Sequence, residues 1–146
     1  MGKITPKLTL TSNASGASTD PGPLSVALSL SASDLLEVTK VESKILDVTG
    51  THGVLYDAST YAASLGAGTD GGFLYIKNHD AAGHIYIGHG SSTALEGGTE
   101  TTRLMTLLPG EFAWFPWDMT ADIIYDANGS YTGALEAWLF IRTGTA

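Results

Sequence analysis

A chain of 146 residues with 43% hydrophobic side chains can bury one sizeable core and is too short for two ordinary ones. Only 15% of its residues are charged, against roughly 25% in an average soluble domain, so much of the surface has to be Ser, Thr, Gly or a partner. The net charge is −8, and Lys77, Arg103 and Arg142 are the cations that follow Lys44, so no basic stripe is available to neutralise phosphates and nucleic acid is excluded as a partner. The lack of cysteine removes disulfides, thiolate nucleophiles and Cys-bound zinc. No stretch resembles a signal peptide, and no apolar run reaches the roughly 18 residues of a membrane span, so a cytoplasmic product that avoids membranes is expected.

Residues 1–12 read as an arm entering a short strand, with Leu8 and Leu10 alternating against Lys7, Thr9 and Thr11. Lys3 and Lys7 make that arm basic, suited to docking on an acidic neighbour. Residues 12–23 (SNASGASTDPGP, from Ser12) form a loop, which puts the domain boundary between an arm with its loop at 1–23 and a single domain at 24–146. Leu24 to Leu30 alternates strictly and predicts a half-buried strand. Leu35 to Val48 fits both strand and helical spacing, and its β-branched residues favour two strands. Val54–Tyr56, Phe73–Asn78, His84–Gly88, Thr101–Leu108, Glu111–Trp117, Asp122–Ala127 and Ala134–Thr143 follow without helix signals. Phe73–Asn78 and His84–Gly88 read as a hairpin joined through Asp80-Ala81-Ala82-Gly83. The total is roughly eight to ten short strands, the pattern of an all-β sandwich or barrel.

Few residues advertise chemistry. Gly66-Ala67-Gly68-Thr69-Asp70-Gly71 matches GxGxxG formally, but an alternating strand follows where a dinucleotide site needs a helix N-terminus, so it reads as a turn. His79, His84 and His89 recur every five residues near Asp80 and are candidate metal ligands, although that spacing puts strand residues on opposite faces. Asp126-Ala127-Asn128-Gly129-Ser130 resembles the start of a calcium loop, yet Tyr131 stands where Gly is needed and Glu136 arrives one residue early. No GxSxG or HExxH is present, and no cofactor and no enzymatic activity are expected.

The stretch from Leu107 to Trp117 (LLPGEFAWFPW) carries the densest aromatic content around a Pro109-Gly110 turn of type II chemistry, read as the tie of a hairpin. Phe112 and Trp114 share one face of its strand while Phe115 and Trp117 share the other. With Ala134–Ile141, which is nearly continuously apolar and includes Trp138 and Phe140, these residues are candidate interface groups between copies of the chain. Trp114 and Trp117 are also candidates for stacking on sugars.

Phe73-Leu74-Tyr75-Ile76-Lys77-Asn78, Ile85-Tyr86-Ile87-Gly88, Leu107-Leu108-Pro109-Gly110-Glu111-Phe112 and Leu135-Glu136-Ala137-Trp138-Leu139-Phe140, in that order, resemble small virion structural proteins of tailed bacteriophages. In that family patterns of the form xYIKN, IxIG, LxPGEF and LEYxxF recur. The resemblance covers most of the chain through strand-and-turn patterns and includes no catalytic residue. It implies a jelly-roll-like antiparallel β-sandwich with an extended N-terminal arm, on a capsid or tail. The expected role is capsid decoration or cement, as a homo-oligomer with a trimer favoured, bound to the major capsid protein or another virion protein. The alternatives are a tail, baseplate or fibre component and a carbohydrate-binding module on the virion surface.

Overall fold

The computed structural model describes residues 2–11, 25–29, 36–48, 52–65, 71–90, 95, 102–129 and 131–142. The chain divides into two compact units, Met1–Val38 and Thr39–Ala146.

In the first unit, β1 (Gly2–Ile4) pairs antiparallel with the opening residues of β4 (Leu36–Asp47), Gly2 opposite Val38 and Ile4 opposite Leu36. β2 (Lys7–Thr11) pairs antiparallel with β3 (Ser25–Ser29), Lys7 opposite Ser29 and Thr11 opposite Ser25. The division between the two units falls at Val38/Thr39. Alternation specifies that 24–30 is a strand but not what it pairs with, and here β3 joins the nearest preceding strand, which keeps the closed loop short. Leu8 and Leu10 are 40% and 44% exposed.

The second unit is an all-β sandwich. Its strands are the rest of β4, then β5 (Gly53–Tyr56), β6 (Gly72–Asn78), β7 (Ile85–His89), β8 (Arg103–Leu107), β9 (Phe112–Trp117), β10 (Ile123–Ala127) and β11 (Ala134–Arg142). One sheet runs β4-β11-β6-β9 and the other β5-β10-β7-β8. The neighbours are nested: β4 lies beside β11, β5 beside β10, β6 beside β9 and β7 beside β8. A chain doubled back on itself as one long antiparallel ribbon and then rolled gives that order, which is the jelly roll. Leu74 and Ile76 of β6 and Leu135, Ala137, Leu139 and Ile141 of β11 pack against Leu55, Ile85, Ile87, Leu107 and Ile123 of the other sheet, all buried.

Rolling the ribbon corrects two expected hairpins. β6 pairs with β11 and β9, whereas β7 pairs with β10 and β8, so Asp80–Gly83 is a crossing between sheets. The same holds for β8 and β9 on either side of Pro109-Gly110. The turn chemistry is as expected, with Gly110 at φ 78° and the Glu111 N–H donating to the Leu108 carbonyl at 3.0 Å. A local turn fixes the chain reversal, while burial on both sheets decides which strands meet. Two further corrections concern the first half of the sandwich. Leu36–Asp47 is one strand of 12 residues instead of two. Ala58–Leu65 is a helix, α1, of 8 residues where none was expected.

α1 begins because its first N–H groups find acceptors. The Ser59 N–H donates to the Asp57 carboxylate at 2.8 Å and the Ala58 N–H to Asp122 at 2.8 Å, satisfying two groups that a helix start leaves open. Tyr61 of α1 then packs edge-on against Tyr56 and Trp117, with ring centroids 5.9 and 5.8 Å away. Most of the glycine-rich motif, 66–70, lies outside the described residues. Gly71 has φ 68°, and a Cβ there would stand 2.1 Å from the Trp117 carbonyl oxygen, so the close approach of β6 to the end of β9 requires glycine.

One buried polar side chain ties the crossing to both sheets. Asn78, fully buried at the end of β6, donates through Nδ2 to the carbonyls of Gly83 (2.9 Å) and Leu107 (3.1 Å) and accepts the Asp80 N–H at 2.8 Å. Asn78→Ala leaves three buried or half-buried polar groups without their partner. It is expected to lower unfolding stability by about 3 kcal/mol in urea titration, more than a cavity of that size alone would cost.

Candidate functional site: an aromatic sheet face

Strand alternation builds the site. The core face of the β4-β11-β6-β9 sheet takes Leu74 and Ile76, Leu135 to Ile141 at every second position, and Ala113, Phe115 and Trp117. The intervening residues therefore stand on the outer face: Phe73, Tyr75 and Lys77 of β6, Glu136, Trp138, Phe140 and Arg142 of β11, and Phe112, Trp114 and Pro116 of β9. Register brings them side by side. Tyr75 lies opposite both Trp138 and Trp114, and Phe73 opposite both Phe140 and Pro116. On β4 the outer row adds Val41, 45% exposed, and Ile45, 71% exposed.

The rings pack on one another. Phe73 and Trp114 stack at 5.3 Å with planes 9° apart, and Trp114 also meets Phe140 at 5.3 Å. Trp138 stacks over Phe140 at 6.4 Å, and Tyr75 meets Phe112 at 5.8 Å. The Arg142 guanidinium sits 4.1 Å above the Phe73 ring. At the other end Glu136 accepts the Trp138 indole N–H at 2.7 Å and pairs with His79 Nε2 at 2.6 Å. The His79 hydrogen bond first, and the indole second, hold the Glu136 carboxyl below the usual carboxylate range. Trp138 is thereby fixed in place while 37% exposed, and Phe112 is 53% exposed. Exposed apolar rings gathered on one face make it the candidate interaction surface of the described residues.

The interface candidates separate accordingly. Phe112, Trp114, Trp138 and Phe140 share the outer face. Trp117 is a correction: it is buried in the core beside Tyr56 and Tyr61, with its indole N–H on the Ala121 carbonyl at 2.9 Å. Phe115 lies on the inner face, half-buried and packed against the core cluster. Lys3 and Lys7 are exposed on β1 and β2 of the first unit. Phe73 and Tyr75 belong to the face although the sequence did not single them out. Their alternation with Leu74 and Ile76 was the available signal.

The three histidines are not brought together. His79 serves Glu136, the His84 N–H donates to Asn128, and His89 stands at the far end of β7. From His84 to His89 the chain follows β7, and five residues of strand span about 17 Å, which separates ligands that must converge within a few ångströms. Among the described residues no cluster of three metal-binding side chains exists. Asp126, which opens the calcium-like stretch, is buried and holds the Leu95 and Ala127 N–H groups, and of the aspartates that precede it Asp118 accepts the Thr120 N–H at 3.0 Å and Asp122 caps α1. A cleft of about 620 Å³ lies where His89, Phe115, Trp117, Asp118 and Arg142 meet. It has no sequence signature, since its lining comes from several separate elements.

The chain matches no family model, no curated protein and no solved structure.

Asp80, in the crossing beside the site, accepts N–H groups from Ala82 (2.7 Å), Gly83 (2.9 Å) and Thr132 (2.8 Å). These bonds, that from Gly83 the strongest influence, pull its carboxyl well below the usual carboxylate range. The unfolded chain, with a carboxyl of ordinary pKa near 3.9, takes up the proton first as pH falls. The stabilisation is therefore complete above about pH 4 and is lost progressively below it. In urea titrations from pH 6 to 2 the midpoint should fall steeply below pH 4, and Asp80→Asn should flatten that fall.

Proposed function

We propose that this chain is a virion structural subunit, a capsid decoration protein of the kind found on tailed bacteriophages, which acts by binding its neighbours and performs no chemistry. The observation that carries this reading is the outer face of the β4-β11-β6-β9 sheet. Its exposed Phe112 and Trp138, the half-buried rings of Phe73, Tyr75, Trp114 and Phe140 between them, and exposed Val41 and Ile45 are costly to leave in water. Burial against another protein surface removes that cost, and the resemblance of the strand-and-turn motifs supplies the setting. The basic arm with Lys3 and Lys7 provides a second contact, and two weak contacts on one subunit bind far more tightly together than either alone.

The ring geometry favours a protein partner over a sugar. A glycan platform needs a flat ring face open to the ligand, and Trp114 presents one face to Phe73 while Trp117 is in the core. A tail or fibre position remains the nearest competitor in the same class, and localisation within purified particles separates the two, with shell-wide labelling expected.

Phe112→Asp places a charge on the exposed rim of the face without touching the core. Self-association measured by sedimentation should weaken about tenfold or more, with the melting temperature of the isolated subunit unchanged. Self-association that is indifferent to Phe112→Asp would remove the aromatic face from the interface.

A further inference from the structure

β4 runs along the border of its sheet. β1 occupies its open side only at Leu36 to Val38, and among the described residues no strand pairs with that side from Thr39 to Asp47. A long open edge is a template for another strand, and proteins ordinarily blunt such edges with charged side chains, Pro, a bulge or a covering loop; here the charges are Lys40, Glu42 and Lys44, of both signs, so that they can be matched by a suitably placed partner. The stretch Thr39-Lys40-Val41-Glu42-Ser43-Lys44-Ile45-Leu46-Asp47 contains no Pro and no Gly.

We propose that this edge pairs antiparallel with the same edge of a second copy of the chain, about a twofold axis at Ser43. The sequence is complementary to its own reverse in that register. Ser43 falls opposite Ser43, Glu42 opposite Lys44, Val41 opposite Ile45, Lys40 opposite Leu46 and Thr39 opposite Asp47, the Lys40–Leu46 position being the one that does not match in chemistry. Each opposite-charge pair and each β-branched pair occurs twice, as an isologous contact demands. The side chains are placed for it. Val41 and Ile45, 45% and 71% exposed, stand on the outer face and gain a neighbour across the axis. Glu42 and Lys44 stand together on the inner side. Glu42 accepts the Tyr61 hydroxyl at 2.6 Å and pairs with Lys40, while the Lys44 ammonium donates to the Leu55 carbonyl and lies 3.9 Å over the Tyr56 ring. Displacing the register by one residue sets Lys40 against Ile45 and Glu42 against Ser43 in one direction, and Glu42 against Ile45 and Ser43 against Lys44 in the other, and either shift breaks the Glu42–Lys44 and Val41–Ile45 pairs. The pairing also joins the two sheets into one, so that the aromatic faces of both copies become continuous. It stands independently of the aromatic-face reading, because the edge and not the rings makes the contact.

The chain contains no cysteine, so one introduced thiol reports the geometry cleanly. Directly opposite residues on paired strands have Cβ atoms about 4.5–5.5 Å apart, close to the roughly 3.5–4.5 Å that a disulfide needs. Ser43→Cys in the full chain should therefore form a disulfide-linked dimer on mild oxidation. Thr106→Cys, exposed on β8 of the other sheet, should remain monomeric on the same gel. Adding Ile45→Lys to Ser43→Cys should lower the cross-linking rate about tenfold by removing both apolar pairs, whereas adding Phe112→Asp should leave it unchanged. Equal cross-linking at positions 43 and 106 overturns the proposal, as does indifference to Ile45→Lys. Loss of the cross-link with Phe112→Asp overturns it too, since the copies would then be meeting through the rings.

Discussion

The twofold periodicity of the strands in one sheet is the constraint on which the molecule depends. Leu74, Ile76, Leu135, Ala137, Leu139 and Ile141 are buried between the sheets, and a strand that buries one row must present the next to the outside. Phe73, Tyr75, Trp138 and Phe140 are outside for that reason alone. Sliding either strand by one residue to hide the rings would expose the aliphatic row instead. The outer face is thus a necessary product of the register that makes the core, and its apolar character comes from which residues occupy the alternate positions.

Polar groups fix where that register begins. Asn78 and Asp80 gather the N–H and C=O groups of the 80–83 crossing, the end of β8 and the segment before β11 at one end of the sandwich. Asn78 is fully buried and Asp80 accepts three backbone N–H groups, so together they hold the crossing in one arrangement. The adjoining His79–Glu136–Trp138 chain of contacts carries that order onto the outer face. The same short stretch of sequence therefore anchors the core and orients an exposed ring.

The all-β class, most strand positions and the Pro109-Gly110 turn were legible in the sequence because each rests on local chemistry: alternation, β-branching, and a glycine at positive φ. Pairing was less legible. Asp80–Gly83 and Pro109-Gly110 look like hairpin loops, yet each carries the chain between sheets, a choice made by burial over distances that a short window does not contain. α1 was missed although Asp57 is a good cap, because eight residues rich in Ala and Ser give little periodicity and one of the two caps, Asp122, lies far along the chain. The split of Phe112 and Trp114 from Phe115 and Trp117 was readable from parity. Which of the two faces is core depended on Tyr56 and Tyr61 closing over Trp117.

Pro116 stands exposed on β9, the border strand opposite β4. Proline has no N–H to offer an incoming strand, and within sheets it is confined to such borders. Among the described residues the sheet is consequently uneven in its capacity to grow, open along β4 from Thr39 and interrupted along β9. Strand addition on the open side uses up that side in both participants. What results is a closed pair with a fixed stoichiometry, whereas two open borders would have given every added copy a further site and an endless ribbon.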